Sequence, residues 1–270
     1  MRKKYKYKTA LGLLVMFVFF LLNCTNANVE ADPFSSIEIN QYDAVLVFDD
    51  DGDMHVKETW EMNYLERYTV RFRDIEYRKF PVDYPLPFSR DNIASFDTTE
   101  YSIKVTRSSF DYTDEVIVGY SFNNDLDERR DEVACPPESD SLCESIFINF
   151  SPIGGLKGLM QIEYNYIIED VVTEYSDVSE INWVLFEYAE SSVTKGSIEI
   201  VLPNNTNEMN DINVFAPLIR NSNLDIVSNQ NIKIKFEDMK TNEQLGFRLL
   251  VPTSTFSSIA PNNIFIDENM

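Results

Sequence analysis

Apolar and polar residues alternate with a period of two along most of the chain after Pro33. Because successive side chains of a β-strand point to opposite faces, this alternation predicts strands that each have one apolar face. The predicted strands span residues 36–40, 44–48, 54–60, 68–73, 101–105, 115–118, 145–150, 160–167, 196–202, 231–236 and 246–251. Prolines and clusters of Asn and Asp lie between them, where turns require such residues.

Helical periodicity is weak throughout the chain. No stretch shows an apolar stripe over three helical turns; residues 180–188 are the best candidate for a short helix, and they could equally form a strand with both faces buried. Many short strands separated by turn signals are typical of a sandwich. The sequence therefore predicts an all-β fold, a β-sandwich of many short antiparallel strands with at most short helices.

The first 27 residues have the parts of a secretory signal. Five basic residues lie within residues 1–8, an apolar run covers residues 10–22, and small or polar residues follow. The run is shorter than the roughly 20 residues that a membrane span needs, so we expect a signal peptide over residues 1–27 and not a retained signal-anchor helix. Cleavage after Ala27 fits this pattern. Lipid attachment to Cys24 fits as well, because residues 21–24 resemble a bacterial lipobox.

The rest of the chain is predicted to form one extracytoplasmic domain over residues 33–255, followed by a tail over residues 256–270. Residues 123–144 interrupt the strand pattern with eight acidic residues, two arginines and two prolines, which predicts a long solvated loop. Cys135 and Cys143 both lie in this loop. An even pair of cysteines in an exported domain indicates a disulfide, with two free thiols as the alternative.

Charge narrows the choice of partners. The formal net charge is −22, and residues 1–27 contain five basic and no acidic residues, so the remainder carries 18 basic against 45 acidic residues, a net charge of −27. Such a surface repels phosphate backbones and anionic lipid headgroups. We therefore expect no nucleic acid and, apart from a lipid on Cys24, no membrane contact; an unknown protein, a surface polymer or a cation remains open.

An acidic cluster, residues 49–53, lies between two predicted strands. Asp-Gly at residues 51–52 is a strong hairpin signal, because these residue types accept positive φ angles. Asp49, Asp51 and Asp53 also offer carboxylates to a cation, but the flanking strands differ from the helices of an EF-hand. We expect a turn first, with a weak cation site on the three aspartates as a second use.

Positive charge is concentrated in one stretch, residues 67–79. Arg71 and Arg73 project from the same face of a predicted strand and could dock an anionic group. The alternative is ion pairing with neighbouring acidic residues such as Glu66, Asp74 and Glu76. Trp60 and Trp183 lie in apolar stretches, and we expect both in the core.

Three segments together resemble a known family. The first is residues 42–64, a strand, an Asp-Gly turn and a second strand; the second is residues 68–75; the third runs from residues 158–168 through residues 179–184 to residues 198–203. Their order resembles the extracytoplasmic domain of the YciQ-like family of predicted bacterial membrane proteins, a domain of unknown function. In that family transmembrane helices usually follow the domain. The resemblance implies no catalytic residue.

The sequence contains no nucleophile elbow, phosphate-binding loop or zinc motif, and His55 is its only histidine. We therefore expect no cofactor and a non-enzymatic interaction or structural module, secreted or anchored on the outer face of the cell membrane. One alternative is a secreted glycan hydrolase that uses paired carboxylates, which 45 acidic residues leave open. The other is a cation-binding surface protein.

Overall fold

The structure is a computed structural model, and it describes residues 36–76, 94–122, 143–186, 191–203, 211–215, 221–241 and 243–259. The predicted signal peptide, with Cys24, lies outside these residues, as do residues 123–142 of the predicted acidic loop. The chain divides into two units, residues 1–35 and 36–270, and only the second contains described residues. The predicted domain boundaries stay predictions.

Strands dominate the described residues and confirm the all-β fold. They are β1 (Ile37–Phe48), β2 (Met54–Tyr68), β3 (Val70–Glu76), β4 (Ser95–Phe96), β5 (Ser102–Arg107), β6 (Phe110–Asp111), β7 (Ile117–Phe122), β8 (Cys143–Asn149), β9 (Leu156–Glu169), β10 (Thr173–Glu174), β11 (Val178–Phe186), β12 (Val193–Val201), β13 (Asn213–Phe215), β14 (Ser222–Ile226), β15 (Asn231–Met239) and β16 (Leu245–Pro252). The helices described are three short 3-10 turns, Thr113–Glu115, Ser151–Ile153 and Thr253–Thr255. Within this part of the chain, no helix has the length and apolar character to cross a membrane.

Every predicted strand region overlaps a strand, although several strands are longer than predicted. The two regions predicted at residues 36–40 and 44–48 form the single strand β1, with a bulge between Ile39 and Gln41. The ambiguous region at residues 180–188 contributes to strand β11, so the helix alternative is wrong. Buried Ile181, Trp183 and Leu185 alternate there with less buried residues, which places one face of β11 in the core.

The strands form three sheets. The largest has nine strands in the order β14-β15-β12-β1-β2-β9-β5-β6, with β4 also paired to β9. Its neighbours run antiparallel except β1 and β12, which pair in parallel. The second sheet has the order β10-β11-β16-β13, and the third has the order β3-β8-β7. We call them the large, the four-stranded and the three-stranded sheet.

The core is one cluster that contains inward-facing residues of all three sheets. Trp60, on the large sheet, is 4% exposed and Trp183, on the four-stranded sheet, is 3% exposed, so the prediction that both tryptophans pack in the core is confirmed. Along β2 the buried positions are Met54, Val56, Glu58, Trp60, Met62 and Tyr64. A carboxylate therefore occupies the middle of an otherwise apolar row.

Candidate functional site

Glu58 is the centre of a buried polar network. Its side chain is fully buried, and Arg73, which is 4% exposed, donates to it from Nε to Oε2 at 2.7 Å and from Nη2 to Oε1 at 2.6 Å. This two-bond geometry is the strongest that a guanidinium and a carboxylate form. Glu58 belongs to the large sheet and Arg73 to the three-stranded sheet, so the ion pair joins two sheets.

Three further donors surround the Glu58 carboxylate. Tyr42 donates to Oε1 at 3.1 Å, Tyr166 donates to Oε1 at 2.9 Å, and the Trp60 indole donates to Oε2 at 3.1 Å. These residues come from β1, β9 and β2, which are neighbours in the large sheet. The carboxylate is thus hydrogen-bonded on both oxygens, as a buried charge requires.

Arg73 extends the network to the four-stranded sheet. Its Nη2 also donates to the backbone oxygen of Leu185 on β11 at 2.9 Å. The guanidinium lies 5.8 Å from the centre of the Trp60 ring, and that of Arg71 lies 5.6 Å from the same ring. One side chain therefore contacts strands of all three sheets.

The electrostatics keep this network in one protonation state. Burial would raise the pKa of Glu58. The charge of Arg73 and the hydrogen bonds from Arg73, Trp60 and Tyr166 nevertheless hold that pKa below its usual value. Burial, reinforced by the Glu58 charge, raises the pKa of Tyr42 and of Tyr166 well above 10. These directions favour an ionised Glu58 that accepts hydrogen bonds and neutral phenols that donate them.

The predicted anion-docking pair, Arg71 and Arg73, lies inside the protein: both are at most 5% exposed. Arg73 forms its ion pair with Glu58, which is 15 residues away in the sequence. An external anion at Arg73 would have to displace Glu58. Docking at this pair stays a prediction, and the structure gives Arg73 another partner.

The predicted turn at residues 49–53 is a turn in the structure. The amide of Gly52 donates to the Asp49 carbonyl at 3.3 Å, and the amide of Asp49 donates to the Asp53 carbonyl at 3.1 Å. Gly52 has a φ of +89°. The backbone hydrogen bond between Asp49 and Asp53 leaves a loop of three residues, 50–52. Only the last of them, Gly52, has a positive φ, so the positive φ predicted for Asp51 is wrong.

The aspartates of this turn bind backbone amides. Oδ1 of Asp49 accepts from the amides of Asp51 and Asp53, both at 3.0 Å, while Oδ1 of Asp53 accepts from the amide of Asp170 at 2.9 Å. His55 Nε2 lies 3.5 Å from Oδ2 of Asp49. In the described ranges no three His, Cys, Asp or Glu side chains are arranged to hold a metal ion. A weak cation site on Asp49, Asp51 and Asp53 stays a prediction.

The outer face of the large sheet carries a row of lysines and a shallow groove. Strand alternation and pairing place five lysines on this face: Lys57, Lys104, Lys195, Lys233 and Lys235. Two of them form ion pairs, Lys57 with Glu163 at 2.9 Å and Lys233 with Glu199 at 3.1 Å. The groove has a volume of about 550 Å³, and its lining includes Val45, Val47, His55, Lys57, Tyr101 and Asn165. We call this surface the lysine face.

The cysteine prediction is only partly within the described residues. Cys143 is the first residue of β8, and Cys135 lies outside the described residues. The predicted loop at residues 123–144 therefore ends in a strand at its last two positions. The disulfide stays a prediction.

Sequence reasoning missed Glu58 and its tyrosine partners. A signal was present, because Glu58 shares the inward parity of Met54, Val56 and Trp60. A carboxylate on an apolar strand face needs a buried partner. Arg71 and Arg73 alternate with Phe72 in the same way, so β2 and β3 each place a charged side chain on a face that should be buried. Pairing the carboxylate of one strand with a guanidinium of the other would have predicted the ion pair.

The chain is similar to one protein family in sequence and to a solved structure in fold. A family model described as "Predicted membrane protein (DUF2207) N-terminal domain" matches residues 38–251. No protein with a curated description matches the sequence. A solved structure of a "putative protease" from Parabacteroides distasonis ATCC 8503 is similar, with a TM-score of 0.43 and 11% identity, over 81% of this chain and 41% of that chain. The chain thus spans less than half of that protein, and a similarity of this size supports no argument about activity.

Proposed function

The chain belongs to the family of predicted membrane protein (DUF2207) N-terminal domains, and on that premise we propose that it is an exported, non-enzymatic module that binds a partner at the cell surface. The proposal includes the finer assignment to the YciQ-like group, supported by the order of the three sequence segments. It also includes secretion or lipid anchoring through Cys24, supported by the pattern of residues 1–27.

The observation that carries the proposal is the lysine face. The mature chain has a net charge of −27, yet five of its lysines lie on one sheet face beside a groove. Acidic residues share this face, and two of them, Glu163 and Glu199, pair with Lys57 and Lys233. We expect a polar surface partner to bind through these lysines, which are the cationic groups that the face offers.

The buried network supports a structural role for the ion pair of Glu58 and Arg73. Glu58 and Arg73 are enclosed and hydrogen-bonded to each other, so their chemistry contributes to holding the sheets together. The hydrolase alternative needs two accessible carboxylates, one of which acts as an acid. On the lysine face, Glu163 is paired with Lys57, whose hydrogen bond lowers the pKa of Glu163. A lowered pKa is the opposite of what a catalytic acid needs, so this contact supports the binding module.

The test is cosedimentation of the exported protein with isolated envelopes of the source cell. We expect retention of the unchanged protein and loss of retention in the triple variant Lys57→Gln, Lys104→Gln, Lys233→Gln. Lys240→Gln is the matched control, since Lys240 is an exposed lysine just beyond the end of β15. Equal retention of all three proteins would contradict the proposal. Release of new reducing ends from the envelope glycan would favour the hydrolase instead.

A further inference from the structure

The groove on the lysine face continues into a second pocket along strand β9. Successive cross-strand pairs of β5 and β9 line the two, namely Ser102 with Asn165, Lys104 with Glu163 and Thr106 with Gln161. The first pair lines the groove, and the other two line the second pocket, which has a volume of about 360 Å³. We call the groove and the pocket together the β9 track. It follows β9 from Gln161 to Ile167, roughly 20 Å at the usual rise of a strand, so its shape suits a linear chain.

The polar side chains of the track both donate and accept hydrogen bonds. In the second pocket they include three hydroxyls and one amide, those of Thr106, Ser108, Ser109 and Gln161. Ser102 and Asn165 continue the same chemistry into the groove. Hydroxyl and carboxamide groups each act as donor and as acceptor, which matches the hydroxyls of a sugar, since these also do both.

The charges along the track are of both signs and nearly cancel. Among the described residues that line it, Lys57 and Lys104 lie with three carboxylates, those of Glu100, Asp111 and Glu163. The Lys57 ammonium is 2.9 Å from the Glu163 carboxylate. An anionic chain would meet more carboxylates than ammonium groups here, and a cationic chain would meet both lysines. This arrangement favours an uncharged ligand.

An aromatic ring lines each part of the track. Tyr101 lines the groove, and Phe110 on β6, which is 67% exposed, lines the second pocket. The Phe110 ring lies 6.4 Å from the Tyr112 ring at an angle of 32°, and Tyr112 packs against the core. The face of an aromatic ring is apolar and carries partial negative charge, so it attracts the C–H groups on the face of a sugar ring.

The hairpin that carries Phe110 is held in place by its own hydrogen bonds. The amide of Tyr112 donates to the Val105 carbonyl at 2.8 Å, and the amide of Val105 donates to Thr113 Oγ1 at 3.1 Å. Oδ1 of Asp111 accepts from the amide of Thr113 at 3.0 Å and from its hydroxyl at 2.5 Å. Because these contacts fix the hairpin before a ligand arrives, binding there costs little conformational entropy.

We propose that the β9 track binds an uncharged, linear polysaccharide, with one sugar ring stacked on Phe110 and others hydrogen-bonded along β5 and β9. The inference rests on the proposed function, because it names the class of partner that the lysine face binds. Adjoining pockets on one strand select a linear ligand, and the near balance of charge selects an uncharged one. A peptide that adds a strand needs a free sheet edge, whereas β5 and β9 are each paired on both sides.

The experiment is titration calorimetry of the exported protein with uncharged hexasaccharides of glucose, mannose, galactose and N-acetylglucosamine. The hexasaccharide of galacturonic acid is the charged counterpart of the galactose probe. We expect at least one uncharged hexasaccharide to bind, with a dissociation constant that rises on the order of tenfold in Phe110→Ala. Phe215→Ala is the matched control, because Phe215 is 52% exposed on β13 in the four-stranded sheet, and it should leave the dissociation constant unchanged.

Binding of none of the uncharged hexasaccharides would overturn the inference. Tighter binding of the galacturonic acid probe, or equal weakening by Phe110→Ala and Phe215→Ala, would overturn it too. Cosedimentation with envelopes separates this result from the proposed function. Envelope retention that neither Phe110→Ala nor excess hexasaccharide reduces would overturn the inference and leave the proposed function standing. Hexasaccharide binding that Phe110→Ala weakens, without retention on envelopes, would support the inference and contradict the proposed function.

Discussion

Nη2 of Arg73 lies 2.6 Å from Oε1 of Glu58, and the two side chains are 4% and 0% exposed on strands of different sheets. Removing one partner of a buried ion pair strongly destabilises the folded protein, because the remaining charge is left in the interior without compensation. Arg73 also reaches the backbone of Leu185 in the four-stranded sheet. The pair therefore holds the three sheets in one arrangement.

Two tyrosines on β9 test how much a hydrogen bond to Glu58 contributes. Tyr166 donates to Glu58, whereas the buried Tyr164 hydroxyl has no hydrogen-bond partner among the described residues. Tyr166→Phe should lower the free energy of unfolding by about 1.5–3 kcal/mol, the value of a hydrogen bond to a charged group. Tyr164→Phe is the control and should be neutral or slightly stabilising. Urea unfolding of both variants checks this, and equal effects would contradict it.

The hairpin turn should tolerate a change at Asp51 but not at Gly52. Gly52 has a φ of +89°, and a Cβ there would lie 2.6 Å from Ile259 Cδ1 and 3.2 Å from Val172 Cβ. Gly52→Val should lower the free energy of unfolding by more than about 2 kcal/mol, from backbone strain and overpacking together. Asp51 is exposed, so Asp51→Asn should change it by less than about 0.5 kcal/mol. Thermal unfolding compares the two, and similar midpoints would show that the turn does not require glycine.

Asp53 should weaken the fold at neutral pH. Burial raises its pKa, the Asp170 amide opposes that rise, and the charges of Asp49, Asp170 and Glu169 add to it. A carboxyl whose pKa is raised by folding costs stability above its folded pKa, and that cost disappears as the pH falls below the unfolded pKa of about 3.9.

Asp53→Asn removes this charge and keeps an oxygen for the Asp170 amide. We expect the variant to be more stable than the unchanged protein at pH 7, with a difference that shrinks as the pH approaches 3.5. Denaturant unfolding at several pH values measures the difference directly. A difference that grows toward low pH would show that the charged form of Asp53 stabilises the fold.

Cys135 and Cys143 should be joined in the exported protein. They are the two cysteines that follow the predicted signal peptide, and they lie close together in the sequence of a predicted exported domain. Mass spectrometry of peptides from unreduced protein should find a linked pair. Alkylation of both thiols without prior reduction would contradict the disulfide.

The longer strands could be predicted from the sequence because they follow a period of two, but β11 was left open between helix and strand, and the short strands β4, β6, β10, β13 and β14 were not predicted. The order of strands could not be predicted in the same way. β1 lies beside β12, whose residues are about 150 positions later, and the pair is parallel. Nothing local to either strand encodes that choice, since it depends on which faces must be covered at the same time.

The candidate site was harder to predict than the fold. The turn at residues 49–53 was recovered because Asp-Gly encodes it locally. The partner of Arg73 was not, because Glu58 lies on a strand of another sheet and the acidic residues adjacent in sequence competed for the assignment. Tyr42 and Tyr166 carried no separate signal, since buried tyrosines are common in apolar strands.

A double-mutant cycle on Glu58→Gln and Arg73→Gln tests the central claim that this buried pair holds the sheets together. Each single substitution should cost about 3–5 kcal/mol. The double variant should cost less than their sum by about 2–3 kcal/mol. The same cycle on the exposed pair, Lys57→Gln and Glu163→Gln, should give a coupling below about 1 kcal/mol. A Glu58–Arg73 coupling no larger than that of the exposed pair would contradict the account.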